Sequence, residues 1–290
     1  MKRSGPLMGT IVTIEIVGDD GQEASAAIER GFEWFLEVEQ RCSRFDPESE
    51  LRQVTMRVGS PVVVSEVLLA AVGFSVAVAE ETAGAFDPTV GAEMEARGFD
   101  RDYRTGESTG SGIGHERATF RDVRVDQEAK TITLTRPLVL DLGAVAKGLA
   151  IDLAARELMG FSNFAIDAGG DLYLAGRNAG GDSWRVGIRH PRRDREAIET
   201  IVVSNAAVCT SGDYERPGHI VQVPQVPQVA SATVIAPTAL LADAMATAAF
   251  VLGPVRGIKL LERQGLQGVI FTDELERHCT RGYDALLSHA

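Results

Sequence analysis

The hydrophobic pattern switches irregularly between a two-residue and a 3.6-residue repeat. Thr10–Val17 alternates apolar residues with Thr and Glu, which predicts a strand. After a turn at Gly18–Gly21, the positions Ala27, Ile28, Gly31, Phe32, Phe35 and Leu36 share a face, predicting an amphipathic helix over Ala24–Val38. Asp46-Pro47 marks a turn, and Ser49, Glu50 and Leu51 open a short helix. A short strand at Val62–Val64 leads into a second helix over Ser65–Thr82, with Ser65 as its N-cap. Gly84–Gly91 is a glycine-bounded turn, and Phe99–Glu116 reads as a surface loop.

Asp122–Thr135 predicts a hairpin that turns near Gln127–Lys130. The apolar run Leu138-Val139-Leu140 reads as a buried strand; Asp141, Gly143 and Gly148 then break it, and a helical pattern resumes at Leu149, Ile151, Leu153 and Leu158. Strands follow at Phe164–Asp167, Leu172–Ala175, Trp184–Ile188, Ile201–Ser204, Ala207–Thr210 and Ala232–Ile235. Pro224 and Pro227 keep the stretch His219–Val229 out of any central strand. A small-residue helix over Ala239–Leu252, capped near Thr238, ends at Gly253-Pro254; a helix at Arg256–Gln264 and a strand at Gly268–Phe271 complete the chain. Short strands mixed irregularly with helices predict an α+β fold.

Composition narrows the function. A chain of 290 residues buries a substantial core in one large or two intertwined domains. Its net charge of -12 argues against nucleic acid and anionic lipid as partners, so a phosphate ligand must be held by local cations or a metal. The three cysteines show no C-x-x-C spacing and read as free or buried thiols in a reducing compartment. The basic Met1-Lys2-Arg3 start has no apolar segment behind it, and no run approaches the ~18 apolar residues of a membrane span; a cytoplasmic chain without membrane insertion is expected.

Three groups of residues carry candidate chemistry. A strand, a Gly-containing turn and a helix start over Leu138–Asp152 suit an anion, with Lys147 as a point charge and Gly143 and Gly148 open to close approach by a ligand. The same stretch is equally a plain strand-to-helix junction with a surface lysine. Asp243 and Thr247, four apart on a helix, present two hard oxygens on one face, as Mg²⁺ requires, though solvated helix faces carry such pairs too. Thr210-Ser211-Gly212-Asp213 can hold phosphate or ribose, or be ordinary turn chemistry. Among the histidines, His219 is the candidate base, set against a partly buried structural histidine; His115, His190, His278 and His289 read as surface residues. Walker A is excluded because Gly148 follows Lys147, no G-x-G-x-x-G follows a strand, and the G-x-S-x-G at Gly106–Gly110 lies inside the Phe99–Glu116 loop and not on a strand-to-helix turn.

Taken in order, these blocks resemble the ApbE-type FAD:protein FMN transferases over nearly the whole chain. The blocks are Met8-Gly9-Thr10, Ser43-Arg44-Phe45 with Ser49-Glu50, Phe86–Gly91, Asp141–Gly148, Asp167–Asp171, Thr210-Ser211-Gly212, His219-Ile220, and Ala236-Pro237 with Ala242–Thr247. The resemblance implies a single ApbE-like α+β domain related to the T-fold, with mixed or antiparallel sheets and packed helices. It implies Mg²⁺-dependent transfer of FMN from FAD to a Thr hydroxyl in a short Gly-rich segment of a target protein, with release of AMP. It also implies roles: Asp243, Thr247 and the Ala144 carbonyl as metal ligands, Lys147 on the flavin dinucleotide, and Met8, Phe86, Asp87, Asp167, Thr210 and Ser211 lining the FAD site. His219 would be the base for the incoming hydroxyl. One block departs from the pattern: where relatives carry an Asp-Pro-x-Thr-Gly type loop beside the flavin, this chain reads Val221-Gln222-Val223-Pro224-Gln225-Val226-Pro227-Gln228. The competing readings are an FAD pyrophosphatase, with water as acceptor, and a non-catalytic FAD-binding protein.

Overall fold

The chain opens with a hairpin whose first strand carries no apolar alternation: β1 (Lys2–Leu7) pairs antiparallel with β2 (Thr10–Ile16). Met8 and Gly9 connect them at φ 51 and 72, the positive pair that a two-residue hairpin turn needs to match strand twist. The computed structural model describes residues 1–114, 118–213, 220 and 228–288. Two compact units divide the chain, residues 1–35 with 147–290, and the continuous segment 36–146. α1 (Gln22–Cys42), longer than its sequence pattern predicts, runs from the first unit into the second.

In the second unit, α2 (Glu50–Thr55) and α3 (Glu66–Glu81) start at the serines that the sequence marks as caps. Ser49 Oγ accepts from the Arg52 N–H and Ser65 Oγ from the Leu68 N–H, each satisfying one of the donors a helix start leaves open. Between them lies β3 (Val62–Val63), the edge of a three-stranded antiparallel sheet of order β3-β5-β4, with β4 (Val123–Asp126) and β5 (Thr131–Leu134) forming the predicted hairpin. Leu51, Leu68, Val72, Ile132 and Leu134 are buried in its core. The glycine-bounded turn runs into a short helix that periodicity did not show, α4 (Gly91–Ala96). Leu138–Leu140 is not the expected strand. Val139 makes a single parallel bridge to Val90, the Gly91 N–H bonds the Val139 carbonyl, and the Asp141 N–H bonds the Pro88 carbonyl. All three residues are buried, so the apolar run reports burial, while among the described residues its backbone partner is the Pro88–Gly91 turn.

In the first unit, α5 (Ala146–Glu157) leads to β6 (Phe164–Ala168), β7 (Asp171–Ala175), the hairpin β8 (Trp184–Arg189) and β9 (Ala197–Val203), then β10 (Ala206–Gly212), β11 (Val229–Ala236), α6 (Ala239–Arg263), β12 (Gln267–Thr272) and β13 (Arg277–Cys279). Among the described residues, eight strands form one antiparallel sheet in the order β1-β2-β6-β7-β10-β11-β12-β13. Every residue of β11 is buried, as befits a strand covered on both faces. On one face the β8–β9 hairpin closes an apolar cluster of Leu174, Val186, Ile201, Val208, Val269 and Phe271. Helices pack against the sheet elsewhere: Gly31 of α1 lies against Ile14 and Ala154, and α6 packs along β10, β11 and β12.

α6 breaks where the sequence places the break, at Gly253 (φ 81), followed by Pro254. Contrary to the composition-based expectation, its length and apolar content suffice for a membrane span, and 72% of the qualifying window is buried inside the fold. Cys42 and Cys209 are buried free thiols, and burial pushes the Cys42 thiol up to about 12, which keeps it inert.

Glu157 joins α5 to α1, accepting from Trp34 Nε1 at 3.0 Å and Arg30 Nε at 2.8 Å. The Trp34 hydrogen bond first, then Arg30, holds its carboxyl below the usual glutamate range. A depressed carboxyl stabilises the fold above the unfolded value and loses that contribution as pH falls through the folded value. Glu157→Gln should therefore lower stability by about 0.5–1 kcal/mol at neutral pH, and the deficit should close in acid. Thermal melts of both proteins across that range check this; a deficit unchanged in acid would mean the ion pair contributes nothing.

Candidate active site

The loop-bearing end of the large sheet gathers several of the sequence-predicted residues. β2 pairs with β6 so that Val12 faces Ala168, and the Gly169 N–H bonds the Ile11 carbonyl. This sets the Met8-Gly9-Thr10 turn against the Gly169-Gly170 turn so closely that a Cβ on Gly169 would lie 2.2 Å from Thr10 Oγ1. Asp167 Oδ1 accepts from the Gly170 N–H and shapes the same turn. Asp171, just beyond it, is 2% exposed. One of its oxygens accepts from the Thr210 N–H at 3.0 Å, and the other holds Lys147 Nζ in a short ion pair. Thr210 Oγ1 meets Thr233 Oγ1 at 2.9 Å, and Ser211 Oγ meets Thr247 Oγ1 at 2.9 Å. Lys147, Asp171 and Thr210 thus form one linked group at the strand ends, and Ser211 and Thr247 a second that reaches α6.

Asp243 lies one turn into α6 with 6% of its surface exposed. Its Oδ2 accepts from the Gly148 N–H at 3.2 Å, and among the described residues no donor reaches Oδ1. Burial raises its carboxyl pKa, against the pull of Lys147 and of the Gly148 N–H. A Cβ on Gly148 would sit 2.5 Å from the Ala239 carbonyl oxygen. This glycine is therefore required by the close approach of α5 to α6, which corrects the expectation that it opens the turn to a ligand. Across the contact, Asp152 of α5 accepts from the Ala239 N–H at 2.7 Å and the Leu240 N–H at 2.9 Å.

These donors suit a hard cation. A carboxylate oxygen without a donor among the described residues and a Thr hydroxyl one turn along the same helix are oxygen ligands of the kind Mg²⁺ takes. Among the described residues no three His, Cys, Asp or Glu side chains cluster as a metal cage. The remaining ligands would have to be backbone carbonyl, water or substrate phosphate.

In the unit 36–146, Phe86 is buried with its N–H on Thr82 Oγ1. Asp87 is occupied locally, accepting from Thr89 through Oδ1 and from the Phe120 N–H through Oδ2. Ala144 lies in the turn that ends this unit, three positions before Lys147 in the chain. Asp141 shapes the turn: its Oδ1 accepts from the Gly143 N–H, and its Oδ2 accepts from Arg44 Nε at 2.7 Å. Arg44 is 6% exposed, also donates to the Phe99 carbonyl, and stacks 4.1 Å over the Phe45 ring. Arg44→Met strands a mostly buried carboxylate and a carbonyl, and should cost about 3 kcal/mol. A shift in the urea midpoint would report it; a loss under about 1 kcal/mol would show the pair to be solvated.

Sequence reasoning missed Asp171, Asp152 and the Arg44–Asp141 pair. Asp171 closes the Asp167–Asp171 block, and its place directly after two glycines was the available signal. His190, expected at the surface, is buried, and its Nδ1 accepts from the Arg192 N–H. His219, His115, His289 and residues 221–227 of the Val-Pro-Gln loop lie outside the described residues.

Comparison with known proteins sets this geometry in a family. The ApbE family model matches residues 8–270, and the chain belongs to the ApbE family. The FAD:protein FMN transferase of Vibrio cholerae is 30% identical over 89% of this chain and 83% of its own length. That of Escherichia coli K12 is 30% identical over 93% of this chain and 83% of its length. The solved flavin transferase ApbE from Vibrio cholerae superposes with a TM-score of 0.84 at 26% identity, covering 99% of both chains.

Proposed function

We propose that this chain is an FAD:protein FMN transferase: with Mg²⁺, it moves FMN from FAD to a threonine hydroxyl in a Gly-rich segment of a target protein and releases AMP. The observation that carries the reading is the buried Asp243 carboxylate, one oxygen fixed by the Gly148 N–H and the other, among the described residues, without a donor, in a family whose curated relatives bear that name. The threonine oxygen would attack the FMN-side phosphorus, the bond to the AMP phosphate would break, and the hydroxyl proton would pass to a base.

Each residue has a part to play in that step. Lys147 offsets pyrophosphate charge, and Asp171 holds it in place. Asp243 and Thr247 would hold Mg²⁺, which when bound polarises the phosphoryl oxygens. Ser211 orients the Thr247 hydroxyl, and Thr210 and Ser211 present hydroxyls at the strand end. His219 is proposed as the base, because a threonine hydroxyl is a weak nucleophile without one.

Incubation with FAD and Mg²⁺, with and without a Thr-bearing acceptor domain, tests the proposal by intact mass and nucleotide analysis. An FMN-sized gain on the acceptor together with AMP is expected. AMP and free FMN without a mass gain would mean a pyrophosphatase, and unchanged bound FAD a binding protein. His219→Ala should slow transfer by about 10²-fold or more with FAD binding retained. Equal loss of both would make His219 a binding residue.

A further inference from the structure

α5 and α6 each cap the other's first turn. α5 starts at Ala146, so the Gly148 N–H is one of its open first-turn donors, and Asp243 of α6 receives it at 3.2 Å. α6 starts at Ala239, and its first two N–H groups go to the two oxygens of Asp152, at 2.7 and 2.9 Å, four residues beyond Gly148 on α5. Between these bonds the two backbones touch: a Cβ on Gly148 would meet the Ala239 carbonyl carbon and the Leu240 Cα, each at 2.7 Å. Two carboxylates at i, i+4 spacing from their counterparts therefore close one contact from both sides.

We propose that Asp152 is a positioning residue for the metal site: by fixing the first turn of α6 on α5, it sets where the Asp243 carboxylate stands and so how tightly the site holds Mg²⁺. The inference rests on the metal role proposed for Asp243. The hydrogen bonds of Asp152 go to the Ala239 and Leu240 N–H groups, so it acts through the N-terminal turn of α6. Both of its oxygens are used, so Asn, with one acceptor oxygen, keeps half of the contact and Ala keeps none. The carboxyl is largely desolvated, and burial raises its pKa against the two N–H bonds and Arg156, so it is held there by the fold and not by water. Thr238 provides a control within the same turn. Its hydroxyl accepts from the Leu241 N–H at 3.3 Å and caps α6 without reaching α5.

The test is Mn²⁺ binding to the full-length chain, read by the paramagnetic signal of free Mn²⁺, for wild type and the Asp152→Asn, Asp152→Ala, Thr238→Ala and Asp243→Ala variants, with melting curves alongside. Wild type should show one site that Asp243→Ala abolishes. Asp152→Asn should weaken Mn²⁺ about tenfold and Asp152→Ala further, the range seen when outer partners of metal ligands are lost. Thr238→Ala should lower the melting temperature and leave Mn²⁺ affinity unchanged. Wild-type affinity in both Asp152 variants, or an equal loss in Thr238→Ala, overturns the positioning role and leaves Asp152 a helix cap. Absence of a site that depends on Asp243 overturns the metal reading itself, and this proposal with it.

Discussion

Asp243→Ala is expected to reduce FAD turnover on the order of a thousandfold at saturating Mg²⁺ while the protein stays folded. The loss follows from removing the carboxylate that would share the metal with Thr247, and with it the cap on the Gly148 N–H. The effect on stability has the opposite sign. The folded-state pKa of Asp243 is raised by burial, so whatever the group contributes is present below the unfolded value and lost as pH rises through the folded one. Where it is ionised and without metal, the carboxylate is a desolvated charge only partly compensated by Lys147 and one N–H. Alanine should then melt no lower than wild type in chelating buffer, and wild type alone should gain when Mg²⁺ is added, as a ligand that binds the native state requires. AMP release and melting curves with and without Mg²⁺ measure both halves. Full activity in the variant would remove the metal assignment.

Gly148→Ala is expected to destabilise the chain by about 3 kcal/mol and to lower activity with it. Two effects of opposite sign meet at this position. Helix propensity favours Ala over Gly by about 1 kcal/mol inside α5. Against that, the new methyl would lie 2.5 Å from the Ala239 oxygen and 2.7 Å from two further backbone atoms, and none of these is the end of a flexible side chain. Close packing leaves no room to absorb that, so α6 must shift, and the Gly148 N–H moves off Asp243. Gly143→Ala is the comparator: its Cβ would meet only Asp141 Oδ1, at 3.0 Å, within the same turn. Denaturant midpoints of the two variants separate the cases. A stabilised Gly148→Ala would mean that propensity wins and the helices are not in contact there.

Much of this architecture was legible in the residues. Ser49 and Ser65 announce their helices because a cap needs a hydroxyl at one defined place. The break at Gly253 is equally explicit, since Pro254 cannot continue the helix before it. β1 was hidden because an edge strand buries almost nothing: Lys2, Arg3 and Ser4 are exposed, so no alternation is imposed on them. Leu138–Leu140 misled for the opposite reason, being buried on every side with hardly a ladder to join. At the candidate site, the spacing of Asp243 and Thr247 on one helix showed in sequence, whereas Asp152 and Asp171 find their partners 87 and 24 positions away. Periodicity says nothing about such pairs. Arg44 and Asp141, 97 positions apart, were likewise visible only as members of separate motifs.

The position of β2 has a consequence for how the chain is made. Its neighbours are β1, which leaves the ribosome before it, and β6, which begins at Phe164. At roughly 5–20 residues per second, synthesis leaves the hairpin waiting on the order of ten seconds or more for that partner. A two-stranded ribbon is marginal in water and presents an open edge meanwhile. Lys2, Arg3 and Pro6 on β1, with Glu15 on β2, place charges and a missing donor on that ribbon, the features that discourage pairing with another chain. Residues 36–146 emerge during the same interval and form a unit with its own contacts. The segment that interrupts the sheet in sequence therefore has time to fold before the sheet's middle strands exist.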